Sequence, residues 1–191
     1  MRTVVLAAGS SLRMGWNKLA APFDGVPLAR RVASALAGLQ PLVVAGPEAA
    51  AVLAGLDGVT VLETSPTAGP SASLALANGA IAAGATLAVV ACDLPFLTAD
   101  AVEAFVRRVP EDADLAYPVV NGIPGHPVVW SPTARARMAG LGPDDAPASL
   151  RRDRSLRVVA LAETDDAYVF DVDTPASWAE AELRAVRQSR S

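Results

Sequence analysis

The chain has 191 residues, a formal net charge of −4 and a 52% hydrophobic content, which suits one domain with a substantial core. Its acidic balance and 5% aromatic content exclude a nucleic-acid partner that would need a basic surface or stacking platforms. The single cysteine, Cys92, excludes an internal disulfide and a multi-cysteine metal site. Residues 80–91 form the longest apolar stretch, too short to span a bilayer, and the N-terminus enters strand-like residues without a basic leader. No membrane partner and a cytoplasmic location are therefore expected.

In chain order, Arg2–Leu6, Pro41–Ala45, Val59–Leu62 and Leu87–Ala91 read as short buried strands. Helical patterns lie between them at Pro27–Gly38, Glu48–Gly55 and Ser71–Ala83. This alternation predicts a single-domain, three-layer α/β fold around a doubly wound, mostly parallel sheet. Thr98 is placed to cap a further helix through Arg108. Leu115–Val120 and Val128–Trp130 then flank a turn-rich segment, residues 121–127, predicting a small antiparallel excursion near the ligand site. Leu156–Leu161 and Val169–Val172 return to strand character and Pro175–Val186 reads as a closing helix. The domain is placed at residues 1–186 and a disordered tail at 187–191.

Lys18 is the only lysine; the other 15 of the 16 basic residues are arginine. Lysine is retained where a compact, strongly hydrated point charge is needed. It ends the run Leu6-Ala7-Ala8-Gly9-Ser10-Ser11-Leu12-Arg13-Met14-Gly15-Trp16-Asn17 directly after a strand. Such a loop can aim backbone N–H groups at an anion, with Arg13 as a fork of donors; the alternative is an ordinary βα turn. Its spacing matches neither the P-loop nor the Rossmann glycine pattern.

Asp93 follows an apolar strand, at the sheet edge where open α/β folds bind ligands, and reads as a Mg²⁺ ligand or a turn-capping residue. Asp171 and Asp173 end another apolar run, and strand alternation would set both on one side. Asp173 or Thr174 could instead cap the helix opened by Pro175. His126, the sole histidine, lies in the Gly125-His126-Pro127 loop and reads as a structural or a ligand-site residue. Cys92 reads as a small buried hydrophobe, and the three tryptophans, Trp16, Trp130 and Trp178, form no aromatic cage in the sequence.

In order, residues 6–18, Gly69-Pro70-Ser71-Ala72-Ser73-Leu74, Cys92-Asp93-Leu94-Pro95, Gly125-His126-Pro127 and Asp171-Val172-Asp173-Thr174-Pro175 resemble the nucleotidyltransferases of molybdenum-cofactor maturation. These belong to the nucleotide-diphosphosugar transferase superfamily, whose sheet type the resemblance implies here. It also implies a Mg²⁺-dependent enzyme that transfers a nucleotidyl group from a nucleoside triphosphate to a phosphorylated acceptor, releasing pyrophosphate. By similarity Leu6, Ala7, Ala8, Gly9, Ser10, Ser11, Arg13, Met14, Gly15, Lys18 and Ser73 would bind the nucleotide. Arg13, Lys18 and Asp93 would be catalytic, Asp93 and Asp173 would hold Mg²⁺, and Gly125, His126 and Pro127 would line the acceptor pocket.

Ala8 stands where GTP users of the family carry glycine, so the resemblance favours CTP over GTP, with molybdopterin as acceptor and a molybdoenzyme as client. Two departures bear on the acceptor. Ile123 stands where the cytidylyltransferases carry arginine, and residues 142–149 lack the family's Gly-Ala-Arg. A sugar 1-phosphate acceptor and a non-catalytic nucleotide-binding or maturation partner are the rival readings.

Overall fold

The computed structural model describes residues 1–9, 11, 13–65, 69–141 and 146–188. Its strands are β1 (Arg2–Ala7), β2 (Pro22–Phe23), β3 (Val26–Pro27), β4 (Leu42–Ala45), β5 (Thr60–Glu63), β6 (Leu87–Ala91), β7 (Leu115–Val120), β8 (Ile123–Pro124), β9 (Val128–Trp130) and β10 (Val158–Ala162). Its helices are α1 (Leu28–Ala35), α2 (Pro47–Leu53), α3 (Pro70–Ala80), α4 (Ala99–Arg108), α5 (Pro132–Met138) and α6 (Pro175–Gln188). No helix among the described residues is long and apolar enough to cross a membrane.

The main sheet runs β10-β7-β9-β6-β1-β4-β5, with β8 paired to β7. β1 is its centre, pairing in parallel with β4 (Val4 with Leu42) and with β6 (Val4 with Val89). Its Val4 and Val5 are fully buried, one toward each face, as expected of a parallel strand covered on both sides. One face packs against α1, α2, α4 and α6 through Leu28, Leu53, Phe105 and Ala181, and the other against α3 and α5 through Leu74, Ala77 and Met138. The three-layer, mostly parallel architecture read from the sequence is the one observed.

Three local expectations change. The antiparallel excursion is not peripheral, because β9 inserts between β6 and β7 and runs antiparallel to both. Residues 169–174 form no strand; a 3-10 turn at Asp166–Tyr168 leads into irregular chain up to α6. The apolar run is real, since Val172 is fully buried, but its backbone N–H donates to the carbonyl of Asp93 at 3.0 Å instead of joining a ladder. Helix α6 continues through Gln188, beyond the expected boundary at 186, and the rest of the expected tail lies outside the described residues. Asp24-Gly25 and Asn121-Gly122, all at positive φ, close the β2–β3 and β7–β8 hairpins in the way such pairs favour.

Arg135 of α5 is a buried cation with no carboxylate partner among its contacts. Its Nε donates to Asn78 Oδ1 at 2.7 Å, and its guanidinium donates to the carbonyls of Asn78, Ile81, Ala82 and Ala85. These carbonyls lie in the last turn of α3 and in the loop that follows it, where positive charge is favoured. Arg135→Leu removes all of these hydrogen bonds at once, so urea unfolding should register a loss of at least about 2 kcal/mol. An unchanged midpoint and slope would contradict this role.

Candidate functional site

The strand ends of the sheet converge on Lys18. Its Nζ donates to Asp93 Oδ2 at 2.7 Å and to Asp173 Oδ1 at 2.5 Å, and its side chain is only 7% exposed. Arg13, largely exposed, reaches the other oxygen of Asp173 at 3.0 Å. Burial opposes the charge on Lys18, but Asp93 and Asp173 more than offset it and hold its pKa above the ordinary lysine value. The hydrogen bond from Lys18, in turn, pulls the carboxyl of Asp173 below the usual range. Asp93 Oδ1 is buried and has no hydrogen-bond partner.

Local structure accounts for each placement. Ser11 adopts positive φ, and its Oγ accepts from the backbone N–H of Lys18 at 3.3 Å. Asp93 follows the end of β6. Asp173 precedes the true cap of α6: Thr174 Oγ1 accepts from the N–H of Ser177 at 3.1 Å. Capping by Thr174 leaves the carboxylate of Asp173 available to Lys18. Because residues 169–174 are not a strand, alternation does not fix Asp171. Burial, and then the charges of Asp93 and Asp173, push the Asp171 carboxyl up.

A cavity of about 330 Å³, lined by Gly9, Ser11, Arg13, Lys18, Asp93 and Asp173, holds this cluster. A second, of about 570 Å³, shares Gly9, Ser11 and Leu19 with it and extends over Ala7, Gly15, Trp16, Asn17 and Glu48. Asn17 Nδ2 donates to Glu48 Oε2 at 2.6 Å on its wall. Sequence reasoning missed Asn17 and Glu48, although both belong to segments that bracket β1 and β4.

The other expected site residues sort by position. Leu6 lines the Lys18 cavity, whereas Ala8 and Met14 are buried, with Met14 in the core. Ser73 is buried, and its Oγ donates back to the carbonyl of Gly69 at 3.2 Å. Ser10 lies outside the described residues. Cys92 is buried, and burial pushes its thiol pKa up. Trp16 and Trp178, unconnected in sequence, meet edge to face at 6.3 Å, with Trp178 also against Phe23.

Of Gly125, His126 and Pro127, only His126 lines a third cavity, which shares Leu6 and Pro70 with the Lys18 cavity. A Cβ at Gly125 would overlap the carbonyl oxygen of Tyr168 and lie 2.8 Å from Val169 Cγ1, so only glycine fits there. The N–H of His126 donates to the carbonyl of Tyr168 at 2.9 Å. Its Nδ1 lies 3.1 Å from the carbonyl of Val89; a carbonyl can only accept, so Nδ1 carries the proton. Burial lowers the pKa of the ring, with the Val89 bond and Asp93 opposing and Arg151 adding to the shift.

Residues 3–159 match the MobA-like NTP transferase domain, and the chain belongs to that family. A molybdenum cofactor guanylyltransferase of Xanthomonas euvesicatoria pv. vesicatoria is 38% identical over 100 residues, covering 50% of this chain and 48% of that protein. The match thus spans about half the length of that curated relative. The homologue of Mycobacterium tuberculosis Rv0371c from Mycobacterium sp. strain JC1 superposes with a TM-score of 0.79 at 26% identity, over 98% of this chain and 100% of that one. Rv0371c of M. tuberculosis H37Rv, solved in complex with manganese, has the same fold, with a TM-score of 0.78 at 24% identity over 95% of this chain and 97% of that one.

The lowered pKa of His126 ties stability to pH. Below the ordinary histidine value of about 6.5 the unfolded chain takes a proton that the native ring refuses, so stability is full above that pH and falls as pH drops toward the native pKa. The slope is at most about 1.4 kcal/mol per pH unit. Between pH 7.5 and 5.5 wild type should therefore lose more unfolding free energy than His126→Asn, which keeps a donor near Nδ1. Equal losses in chemical denaturation would refute this.

Proposed function

From the family membership and the Lys18 geometry, we propose that this chain transfers a nucleoside monophosphate from a nucleoside triphosphate to a phosphorylated small-molecule acceptor, with release of pyrophosphate. The observation that carries the reading is the meeting of Lys18, Arg13, Asp93 and Asp173 in one cavity. Nucleotidyl transfer needs no protein nucleophile: an acceptor phosphate oxygen attacks the α-phosphorus and the bond to the β-phosphate oxygen breaks. The protein must align two polyanions and stabilise the departing charge. On this reading Arg13 and Lys18 neutralise the triphosphate, the described residues of the Ala7–Gly15 loop hold it, and the 570 Å³ cavity beside them takes the base.

Mg²⁺ fits the residues present. Asp93 and Asp173 already share one cation in Lys18, and Asp93 Oδ1 is buried without a partner. No group of three or more metal-ligating side chains occurs among the described residues; Mg²⁺ is commonly held by one or two carboxylates together with substrate phosphates. A bound Mg²⁺ would supply charge neutralisation to the triphosphate. The manganese complex of Rv0371c supports a divalent-cation site in this fold.

CTP is the proposed donor, on the methyl of Ala8 where GTP users carry glycine. GTP is the second reading. It is favoured by the name of the Xanthomonas relative and by Glu48, whose carboxylate could accept from two guanine donors. The proposed acceptor is molybdopterin, a reading supported by the same relative's name, with a molybdoenzyme as downstream client and the cytoplasm as location.

Two measurements test the reading. With Mg²⁺, CTP or GTP and molybdopterin, pyrophosphate release by Lys18→Ala should fall at least about tenfold, equivalent to about 1.4 kcal/mol of transition-state stabilisation; wild-type turnover in a folded Lys18→Ala protein would remove its assigned role. Ala8→Gly should shift the ratio of CTP to GTP turnover at least about threefold toward GTP, and an unchanged ratio would discard the Ala8 account of base choice.

A further inference from the structure

The carboxylate oxygens around Lys18 are all engaged or covered. Asp173 Oδ1 accepts from Lys18 Nζ at 2.5 Å, and its Oδ2 faces Arg13 Nη1 at 3.0 Å. Asp93 Oδ2 accepts from the same Nζ at 2.7 Å, while its Oδ1 has no partner among the described residues but is buried. No oxygen of the pair therefore stands open to a metal ion arriving alone. Such an ion would also meet the positive charge of Lys18 at close range. An ammonium seated between two carboxylates and a divalent ion held by the same two are alternatives, so one must leave for the other to enter. Lysine is built to leave: its head is a point charge on a flexible four-carbon stem. The backbone at its root stays fixed, with the N–H of Lys18 on Ser11 Oγ at 3.3 Å.

We propose that Lys18 keeps the metal's place in the free chain. Its ammonium bars a lone divalent cation from Asp93 and Asp173. It gives up both carboxylates to a metal–nucleoside triphosphate complex, whose phosphate oxygens take the ammonium over. This rests on the transfer reading above and deepens it: the substrate is the metal–nucleotide complex, not metal and nucleotide in succession. Each charge has a partner before and after the exchange, since the carboxylates pass from an ammonium to a divalent ion and the ammonium passes from carboxylate to phosphate oxygens. Coupling between the two ligands is then reciprocal. Lys18 lowers the affinity of the site for bare metal and raises it for nucleotide. A lysine that only braced the three segments would do the opposite to the metal, because its loss would disorder Asp93 and Asp173.

Two measurements test this. Mn²⁺ is titrated into the nucleotide-free protein and followed by loss of the free-ion electron paramagnetic resonance signal. Lys18→Met should bind it at least about tenfold tighter than wild type, and Asp93→Asn in the same background should remove the gain. Because Lys18 is the only lysine, lysine labelled with ¹³C at Cε gives one side-chain resonance in the unsubstituted protein. Mg²⁺ alone should leave that resonance in place, and Mg²⁺ with the α,β-methylene analogue of CTP or GTP should shift it. Lys18→Met binding Mn²⁺ no tighter than wild type overturns the proposal. So does a resonance that moves with Mg²⁺ alone, or one that stays put while calorimetry shows the analogue bound. Should Lys18→Met not fold, the wild-type resonance decides. If neither analogue binds with Mg²⁺ while Lys18→Met gains Mn²⁺ affinity through Asp93, the transfer reading fails and the barring of bare metal by Lys18 stands.

Discussion

A single ammonium group joins three remote parts of this chain. Lys18 reaches Asp93, 75 residues away, and Asp173, 155 residues away, within hydrogen-bond distance. Without a cation between them, two part-buried carboxylates this close would repel each other and lose hydration. An arginine would bring a broad planar fork, whereas lysine brings a point charge that both oxygens can approach at once. That difference accounts for the one lysine in a chain otherwise furnished with arginine.

The fold brings the three together because β1 and β6 are parallel neighbours, so the segments that follow them emerge at the same edge of the sheet. The loop after β1 turns back through Ser11 to place Lys18, while Asp93 follows β6 directly. Asp173 arrives from outside the sheet, tethered by the bond from Val172 N–H to the carbonyl of Asp93. Arg135 supports the same arrangement from the far end of α3, holding the helix whose first residue, Pro70, lines two of the three cavities.

Much of this was legible in the sequence, for definable reasons. β1, β6, β7 and β9 were readable because β-branched and apolar residues in short runs fill buried strands, and Thr98 announced α4 by its cap. Lys18 could be singled out as the only lysine, Asp93 because it follows an apolar strand, and Asp173 because it ends an apolar run, although that run is not a strand. The register was not legible: nothing in Val128–Trp130 says that it inserts between β6 and β7. Residues 169–172 misled because burial of Val172 looks like strand burial when hydropathy alone is read. The hairpin at Asp24-Gly25 did carry a turn signal, although its two-residue strands are too short for periodicity. Arg135 and Arg151 were invisible because their partners are backbone carbonyls and an aromatic ring, which leave no pattern in the chain.

The contrast between the cavities follows from the same geometry. On one side of Lys18, Asn17 and Glu48 stand among Trp16, Leu19, Pro47 and Ala49 and bring groups able to pair with the donors and acceptors of a base. On the other the walls are leucine and valine, interrupted by His126, Trp130 and Arg151. A polar ligand placed on the apolar side would lose water without replacement. This difference in solvation, on the proposed reading, sorts two different ligands to opposite flanks of one charged centre. On the proposed reading the anionic ends of both ligands are directed to Lys18 and Arg13, while recognition of their bodies is left to walls that share only Leu6, Gly9, Ser11, Leu19 and Pro70 with that centre.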